Sequence, residues 1–562
     1  MVNILNEASV QCTDSTLKVS EIITNFIKEQ GCTKVFGIPG KSIIPLIFSI
    51  DDKEMDFVLS RHECGAGFMA TGYALQNNTL GVAMGTSGPG GTNMVTSAAQ
   101  ASAFNAPVLF ITGHPPLSQS GRALSQDSSI FGTDLVDMFK SVTKFSAKVE
   151  SEDSINLYLQ HALEKAMIGP KGPVHLSIPL DILQKDTTSS QLNYLKVEDP
   201  IISGNMNKFF SLLEEANRPA LLVGKGAHGA HAYPEIQRLA ETWNIPVMTT
   251  PGGKGTFISN HPLSLGTLGL GGAQAASDYL DEGVDLLIVI GSKLSDMSTA
   301  SFHENNFPEK VIQFDIDSTF AGKSMPSEIL MINGDAKENL QYILQYTPER
   351  PKQIKIKNEI EAGDGLNDNT SGSSEYLSAA RCMKILRSLL PPETITYGDD
   401  GSHTFYALRH FNVCKPGTFF FDDVFGAMGN GIGLSIGAKS ARPNEIITCF
   451  TGDGCLFMHG MEISAAVCEN YPVIIYVFNN GMYDMVDKGM KTIHDKTVGA
   501  KFYTEINATE LATSLGAIGR RCFTEEDIEE ATLQALEEQH LPTVIELMVQ
   551  KDEMPPIELR FK

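Results

Sequence analysis

The run Leu286-Leu287-Ile288-Val289-Ile290 has no polar face. Side chains of a strand alternate between the two faces of its sheet, so five consecutive aliphatic residues need cover on both sides. Comparable runs recur at Val108-Leu109-Phe110-Ile111, Ala220-Leu221-Leu222-Val223, Ile446-Ile447-Thr448-Cys449-Phe450 and Val473-Ile474-Ile475-Tyr476-Val477-Phe478. Between them lie segments with helical spacing. Val19, Ile22, Ile23, Phe26 and Ile27 share one helix face, and Gly31 follows as a C-terminal stop. Buried strands alternating with helices are the pattern of parallel sheets sandwiched by helices.

Three such stretches are predicted. The first covers about 14–185 and closes on Gly172-Pro173-Val174-His175-Leu176-Ser177-Ile178-Pro179. A polar connector at 183–200 leads to the second, 201–345, which also holds Val311-Ile312-Gln313-Phe314-Asp315. Residues 362–375, rich in Gly, Asp, Asn, Thr and Ser, read as an exposed linker to the third, 376–550. A chain of 562 residues suits about three domains of ordinary size. The expected fold class is therefore α/β, with three doubly wound parallel-sheet domains, each offering the carboxyl ends of its strands to a ligand.

Composition narrows the partners. A formal net charge of −24 opposes nucleic acid and anionic membrane surfaces. No apolar stretch approaches the ~18–20 residues needed to span a bilayer, and Met1 to Ser20 lacks a basic start followed by an apolar run. Nine scattered cysteines without a Cys-x-x-Cys pair do not read as a disulfide framework. Cytoplasm is the expected compartment, and a small molecule the expected substrate.

The segment 446–482 carries the most chemistry. A buried strand ends in Gly452-Asp453-Gly454, a helical stretch with Ile463, Ala466 and Val467 follows, and a second strand ends in Asn479-Asn480-Gly481. A right-handed crossover puts both strand ends on one edge of the sheet, where Asp453 and Asn480 can converge on a cation. Mg²⁺ takes hard oxygen ligands and needs few protein charges when phosphates supply the rest. Gly452 and Gly454 let the backbone approach a diphosphate. Either glycine-rich turn alone would be unremarkable; together, at the ends of the two strands, they could hold a metal-bound diphosphate.

With these motifs the chain resembles the acetolactate synthase and pyruvate decarboxylase superfamily of thiamine-diphosphate-dependent enzymes, in domain order and along nearly its whole length. The resemblance implies a pyrimidine-binding first domain, a central Rossmann-like domain and a diphosphate-binding third domain. It implies Asp453, Asn480 and the backbone carbonyl of Met482 as metal ligands, with Gly452, Gly454 and Cys455 beside them. Arg61-His62-Glu63 precedes a small-residue helix, Gly65-Ala66-Gly67-Phe68-Met69-Ala70-Thr71-Gly72-Tyr73-Ala74. In relatives this glutamate bonds the cofactor's aminopyrimidine, which activates C2 through the cofactor's own imino nitrogen. Gly426-Ala427-Met428-Gly429 matches the segment whose apolar side chain bends the cofactor, making Met428 the wedge. Gly401-Ser402-His403 matches a segment near the diphosphate. Ser87-Gly88-Pro89-Gly90-Gly91-Thr92-Asn93 matches part of the pyrimidine pocket, as do Pro39 and Gly40. In the family each active site joins the first domain of one subunit to the third of another, which implies a homodimer or homotetramer.

Ser125-Gln126-Asp127 with Ile130-Phe131-Gly132 is similar to the synthase segment whose Gln lies near substrate, and Gly334-Asp335-Ala336-Lys337 also fits the synthase branch. Departures stand beside these matches. Lys41 follows Gly37-Ile38-Pro39-Gly40 where synthases carry a second Gly, His114 stands in place of Gln, and Leu180 replaces a Lys. The region Gly481-Met482-Tyr483-Asp484-Met485-Val486 lacks the usual Gln-Gly-Met-Val and the downstream Trp. Lys293 and Leu294 stand where FAD-binding relatives show Arg-Phe, which leaves FAD an open question. The expected reaction is decarboxylation of a 2-oxo acid, pyruvate foremost, with carboligation to a second carbonyl, using thiamine diphosphate and Mg²⁺. Glu63, Gln126, Lys41 and His114 are the catalytic candidates. A simple 2-oxo acid decarboxylase and a specialised carboligase of secondary metabolism with a non-pyruvate acceptor are the alternatives. A nucleotide-dependent dehydrogenase would need Gly-x-Gly-x-x-Gly between a first strand and its helix, a context that 426–433 lacks.

Overall fold

Each of the apolar runs forms a strand, and the strands sort into separate parallel sheets. The computed structural model describes residues 16–188, 202–346, 376–504 and 506–561. The start of the chain, most of the expected connector at 183–200 and all of the expected linker at 362–375 lie outside the described residues. Among the described residues there are three six-stranded sheets and one small antiparallel pair, Thr16–Lys18 with Asp186–Thr188.

The first sheet runs, in space, Asp56–Leu59, Lys34–Gly37, Gly81–Gly85, Val108–His114, Val174–Pro179, Phe145–Lys148. Numbered by position in the chain, that order is 2-1-3-4-6-5. The third sheet runs Phe419–Phe420, Ile395–Gly398, Ile447–Gly452, Ile474–Asn479, Thr543–Met548, Ile518–Cys522, which is the same 2-1-3-4-6-5. The middle sheet differs. Ser264–Thr267, Val247–Thr249, Pro219–Val223, Leu286–Ile290, Lys310–Asp315 and Glu328–Asn333 follow 3-2-1-4-5-6, the order of a dinucleotide-binding fold. All neighbours in these sheets pair parallel. The α/β class with three doubly wound sheets is what the apolar runs predicted. Leu286–Ile290 is buried at every position, as a strand with two apolar faces requires.

The predicted face of the helix Val19–Glu29 is buried at all five positions, and Gly31 takes φ +78° just past its end. The small-residue segment forms the helix Glu63–Asn77, which crosses Asn430–Ala441 of the third unit. A Cβ on Gly72 would lie 2.0 Å from the Leu434 carbonyl oxygen, and one on Gly437 1.9 Å from that of Met69. Glycine is needed there because the two backbones touch. The apolar cores of the first and third units are consequently continuous, running from Val35 and Ile111 to Ile432 and Ile447. Gln76 Nε2 adds a bond to the Tyr397 hydroxyl at 2.8 Å. Among the described residues no helix is long and apolar enough to cross a membrane.

Candidate active site

In the third sheet the chain order turns back between Ile395–Gly398 and Ile447–Gly452, and a crevice opens beyond the carboxyl ends of these strands. Each strand feeds a helix that starts at the crevice: Ser402–His410, Asp453–His459 and, after Ile474–Asn479, Asp484–His494. The resulting cleft is lined by Gly401, Ser402, His403, Gly426, Met428, Gly452, Asp453, Gly454, Cys455, Asn480 and Met482. Every residue expected on the diphosphate side thus contributes to the lining of one space.

Asp453 is only 3% exposed, and its two oxygens accept the amides of Gly454 and Gly481, each at 2.7 Å. Burial pushes its carboxyl up to about 6 despite those bonds. The two adjacent asparagines divide the work. Asn479 is spent inside the fold, donating to the Ile506 carbonyl at 3.0 Å and to Glu546 at 2.6 Å. Asn480 is left to line the cleft. His403 is buried across the backbone of Gly401 and Gly452, and its Nε2 has no hydrogen-bond partner. Burial holds it neutral, down to about 3. An orphaned imidazole nitrogen, a part-shielded carboxylate, an amide and side-chain-free backbone in one cleft suit a metal-bridged diphosphate.

Met428 sits on a loop held at both ends. Beyond it, Asp399 accepts the Gly429 amide at 2.8 Å and the Thr451 hydroxyl at 2.8 Å. Before it, Asp422 accepts the amides of Val424, Phe425 and Gly426. Gly426 and Gly429 take φ +73° and +86°, a turn that carries Met428 over Gly454; a Cβ there would lie 3.4 Å from Met428 Cε. The Cys455 thiol is turned away to the Asp400 carbonyl at 3.1 Å. Asp484 lies beside Ser402 and Asn480, and burial raises its carboxyl.

A second cluster forms at the carboxyl edge of the first sheet. Glu63 opens its helix nearly buried, and Asn93 Nδ2 donates to its Oε2 at 2.9 Å. The turn before it is held by Glu462, which accepts the amides of Arg61 and His62. Gly40 abuts Thr86, and the Ser42 hydroxyl ties Thr86 and the Ser87 amide at 2.9 Å each, so Pro39 and Gly40 border the glycine-rich turn. Gln126 has φ +54°, a costly conformation for a residue with a Cβ, and lies against Gly88. His114 ends its strand with Nδ1 2.7 Å from the Pro115 carbonyl. A carbonyl can only accept, so Nδ1 carries the proton and Nε2 keeps a lone pair. Burial lowers its pKa. Lys41 is exposed on the short turn Lys41–Ile43.

The residues of this second cluster do not line the cleft around Asp453. Glu63, Asn93, Pro39, Gly40, Lys41, His114 and Gln126 are all absent from the lining of the cleft around Asp453. Residues that sequence reading passed over include Asp399, Asp422, Lys225 and Glu462. Their signal was weak: an Asp-Asp pair after a strand, another just before the loop, and isolated charges in apolar surroundings.

Comparison with known proteins follows the same tripartite pattern. The model described as "Thiamine pyrophosphate enzyme, N-terminal TPP binding domain" matches residues 17–135, that of the central domain 206–343 and that of the C-terminal TPP binding domain 399–547. A "Probable acetolactate synthase large subunit" of Methanococcus aeolicus is 30% identical over 528 residues, covering 89% of this chain and 87% of its own. An "Acetolactate synthase" of Mycobacterium bovis is 30% identical, covering 95% and 88%. The "Acetolactate synthase large subunit" of Corynebacterium glutamicum is 30% identical, covering 95% and 87%.

Proposed function

Because the chain belongs to the thiamine pyrophosphate enzyme family, on its acetolactate synthase branch, we propose that it decarboxylates pyruvate and joins the acyl unit to a second 2-oxo acid. An acetolactate synthase-like, thiamine-diphosphate-dependent carboligation is the reading the relatives favour over a simple decarboxylase or a specialised carboligase. The observation that carries it is the cleft around Asp453, with its orphaned His403 Nε2 and its bare glycine backbone. When bound, thiamine diphosphate supplies the electron sink that lets a 2-oxo acid lose carbon dioxide.

In this reading Asp453, Asn480 and the Met482 carbonyl would hold Mg²⁺, and Gly401, Ser402, His403, Gly452 and Gly454 would hold the diphosphate. Glu63, its carboxylate held by Asn93, would hold a proton toward the pyrimidine ring nitrogen. Met428 would lie under the cofactor and support it. Gln126, Lys41 and His114 face substrate, with His114 Nε2 offering an acceptor where synthases present an amide. The regions 14–185, 201–345 and 376–550 serve as pyrimidine, central and diphosphate domains. Since the Glu63 cluster does not line the cleft around Asp453, we assign the working unit to a homodimer or homotetramer in the cytoplasm, with Glu63 of one subunit completing the cleft of another. FAD would lie in the crevice of the central sheet, beside Gly291, Lys293 and Asp315. A flavin spectrum on purified protein, lost on blocking that crevice by substitution of Gly291, would support this; full turnover by colourless protein would show that the reaction runs without it.

The test is product analysis with pyruvate, thiamine diphosphate and Mg²⁺, beside Glu63→Gln. Acetolactate from the wild type alone is expected. Acetaldehyde as sole product would overturn the carboligase reading, and consumption of pyruvate by Glu63→Gln at the wild-type rate would overturn the role of Glu63.

A further inference from the structure

We propose that Asp422 is a positioning residue for Met428, held in that role by Lys225 from the central unit and Gln100 from the first. The inference rests on the reading of Met428 as the residue that supports the bent cofactor.

Asp422 is 4% exposed, yet both its oxygens are fully engaged. Oδ1 takes the Lys225 ammonium at 2.8 Å and the Val424 amide at 3.2 Å. Oδ2 takes Gln100 Nε2 at 2.8 Å, the Phe425 amide at 2.8 Å and the Gly426 amide at 3.3 Å. The other end of the Gln100 amide accepts from the Ala427 backbone at 3.1 Å. Four consecutive amides leading to Met428 are therefore fixed by one carboxylate and the glutamine bonded to it. Asp399 fixes the next amide after Met428, that of Gly429.

A carboxylate this buried needs a countercharge. Lys225 supplies it, shared with Asp423 at 3.2 Å, and Asp423 in turn accepts the Gly252 amide of the central unit. Burial alone would raise the Asp422 carboxyl; the lysine turns the balance and keeps it below its ordinary value. The loop lacks regular secondary structure from Val424 to Gly429, and Val424 and Phe425 expose their apolar side chains. Packing does not hold it; these polar contacts do. All three units of the chain thus set where one methionine sits.

Hydrogen–deuterium exchange of the full chain without added cofactor tests this on the segment 424–430. Asp422→Asn keeps the shape but removes the charge, and is expected to speed exchange there about tenfold or more, with the strand Ile447–Gly452 unchanged. Lys225→Met is expected to do the same and Lys225→Arg to restore protection. If Asp422→Asn loosens the whole protein, Gln100→Ala decides, since it frees Ala427 while Lys225 stays on Asp422. With thiamine diphosphate bound, exchange of the cofactor C2 proton is expected to slow about ten- to a hundredfold in Asp422→Asn, a loss in kcat larger than any change in KM. Met428→Ala separates the two readings. If it leaves C2 exchange intact, the role of Met428 falls. If it slows C2 exchange while Asp422→Asn and Gln100→Ala leave both the loop and C2 unaffected, the role of Asp422 falls.

Discussion

Glu462, in the third unit, accepts the backbone amide of His62 at 2.8 Å, one residue before Glu63. It also takes the Arg61 amide with both oxygens, at 3.2 and 3.0 Å. The contact is so close that a Cβ on Gly65 would overlap the carboxylate. The turn that delivers Glu63 to its pocket is therefore shaped by the far end of the same chain.

The burial of Glu462 gives stability a pH dependence, which its bonds to the Arg61 and His62 amides only partly offset. Burial raises the Glu462 carboxyl from 4.5 to about 7. A group whose folded pKa is raised favours the folded state most when protonated, so its contribution is full below about 4.5. It declines between about 4.5 and 7 as the unfolded chain ionises first, then stays level. Glu462→Gln should flatten that part of the curve. Urea unfolding at a series of pH values checks it; an unchanged slope would count against the assignment.

Glu63→Gln should lower kcat by about 10²–10⁴-fold, the range for loss of a positioned acid–base group. Asn93 can still bond the amide, so cofactor affinity should fall far less. Steady-state kinetics beside a calorimetric titration of thiamine diphosphate separates the two.

Asp453→Ala removes the one carboxylate among the proposed metal ligands. Thiamine diphosphate and Mg²⁺ should then fail to stay with the protein through gel filtration. A chelator should strip the wild type in the same way, and added Mg²⁺ should restore only the wild type.

Gly437→Ala should destabilise by about 1–3 kcal/mol or more, because the new methyl group meets the Met69 carbonyl in a contact with no room to relax. Gly229→Ala, where nothing lies within 4 Å, is the control and should stay within about 0.5 kcal/mol of wild type. Chemical denaturation of both variants is the measurement.

What was legible in the sequence followed from strong local signals. Apolar runs declared strands because two buried faces leave no polar position, and Gly-Asp-Gly and Asn-Asn declared strand ends because their spacing fits one crossover. The division of labour between Asn479 and Asn480 was harder to see, since it depends on Glu546 arriving from the neighbouring strand. Asp422 and Lys225 are 197 positions apart and join only when three units pack. Glu462 looks like any surface glutamate until the helix Glu63–Asn77 covers it. Long-range pairs of this kind leave no periodicity to read.

The shared 2-1-3-4-6-5 order of the first and third sheets makes their carboxyl edges comparable strand by strand. Their third strands, Gly81–Gly85 and Ile447–Gly452, hold equivalent places, and each ends in glycine. The next residue is Thr86 in one and Asp453 in the other. At the same register one sheet thus carries a hydroxyl and the other the carboxylate proposed to hold the cation, so two edges of one topology present different chemistry.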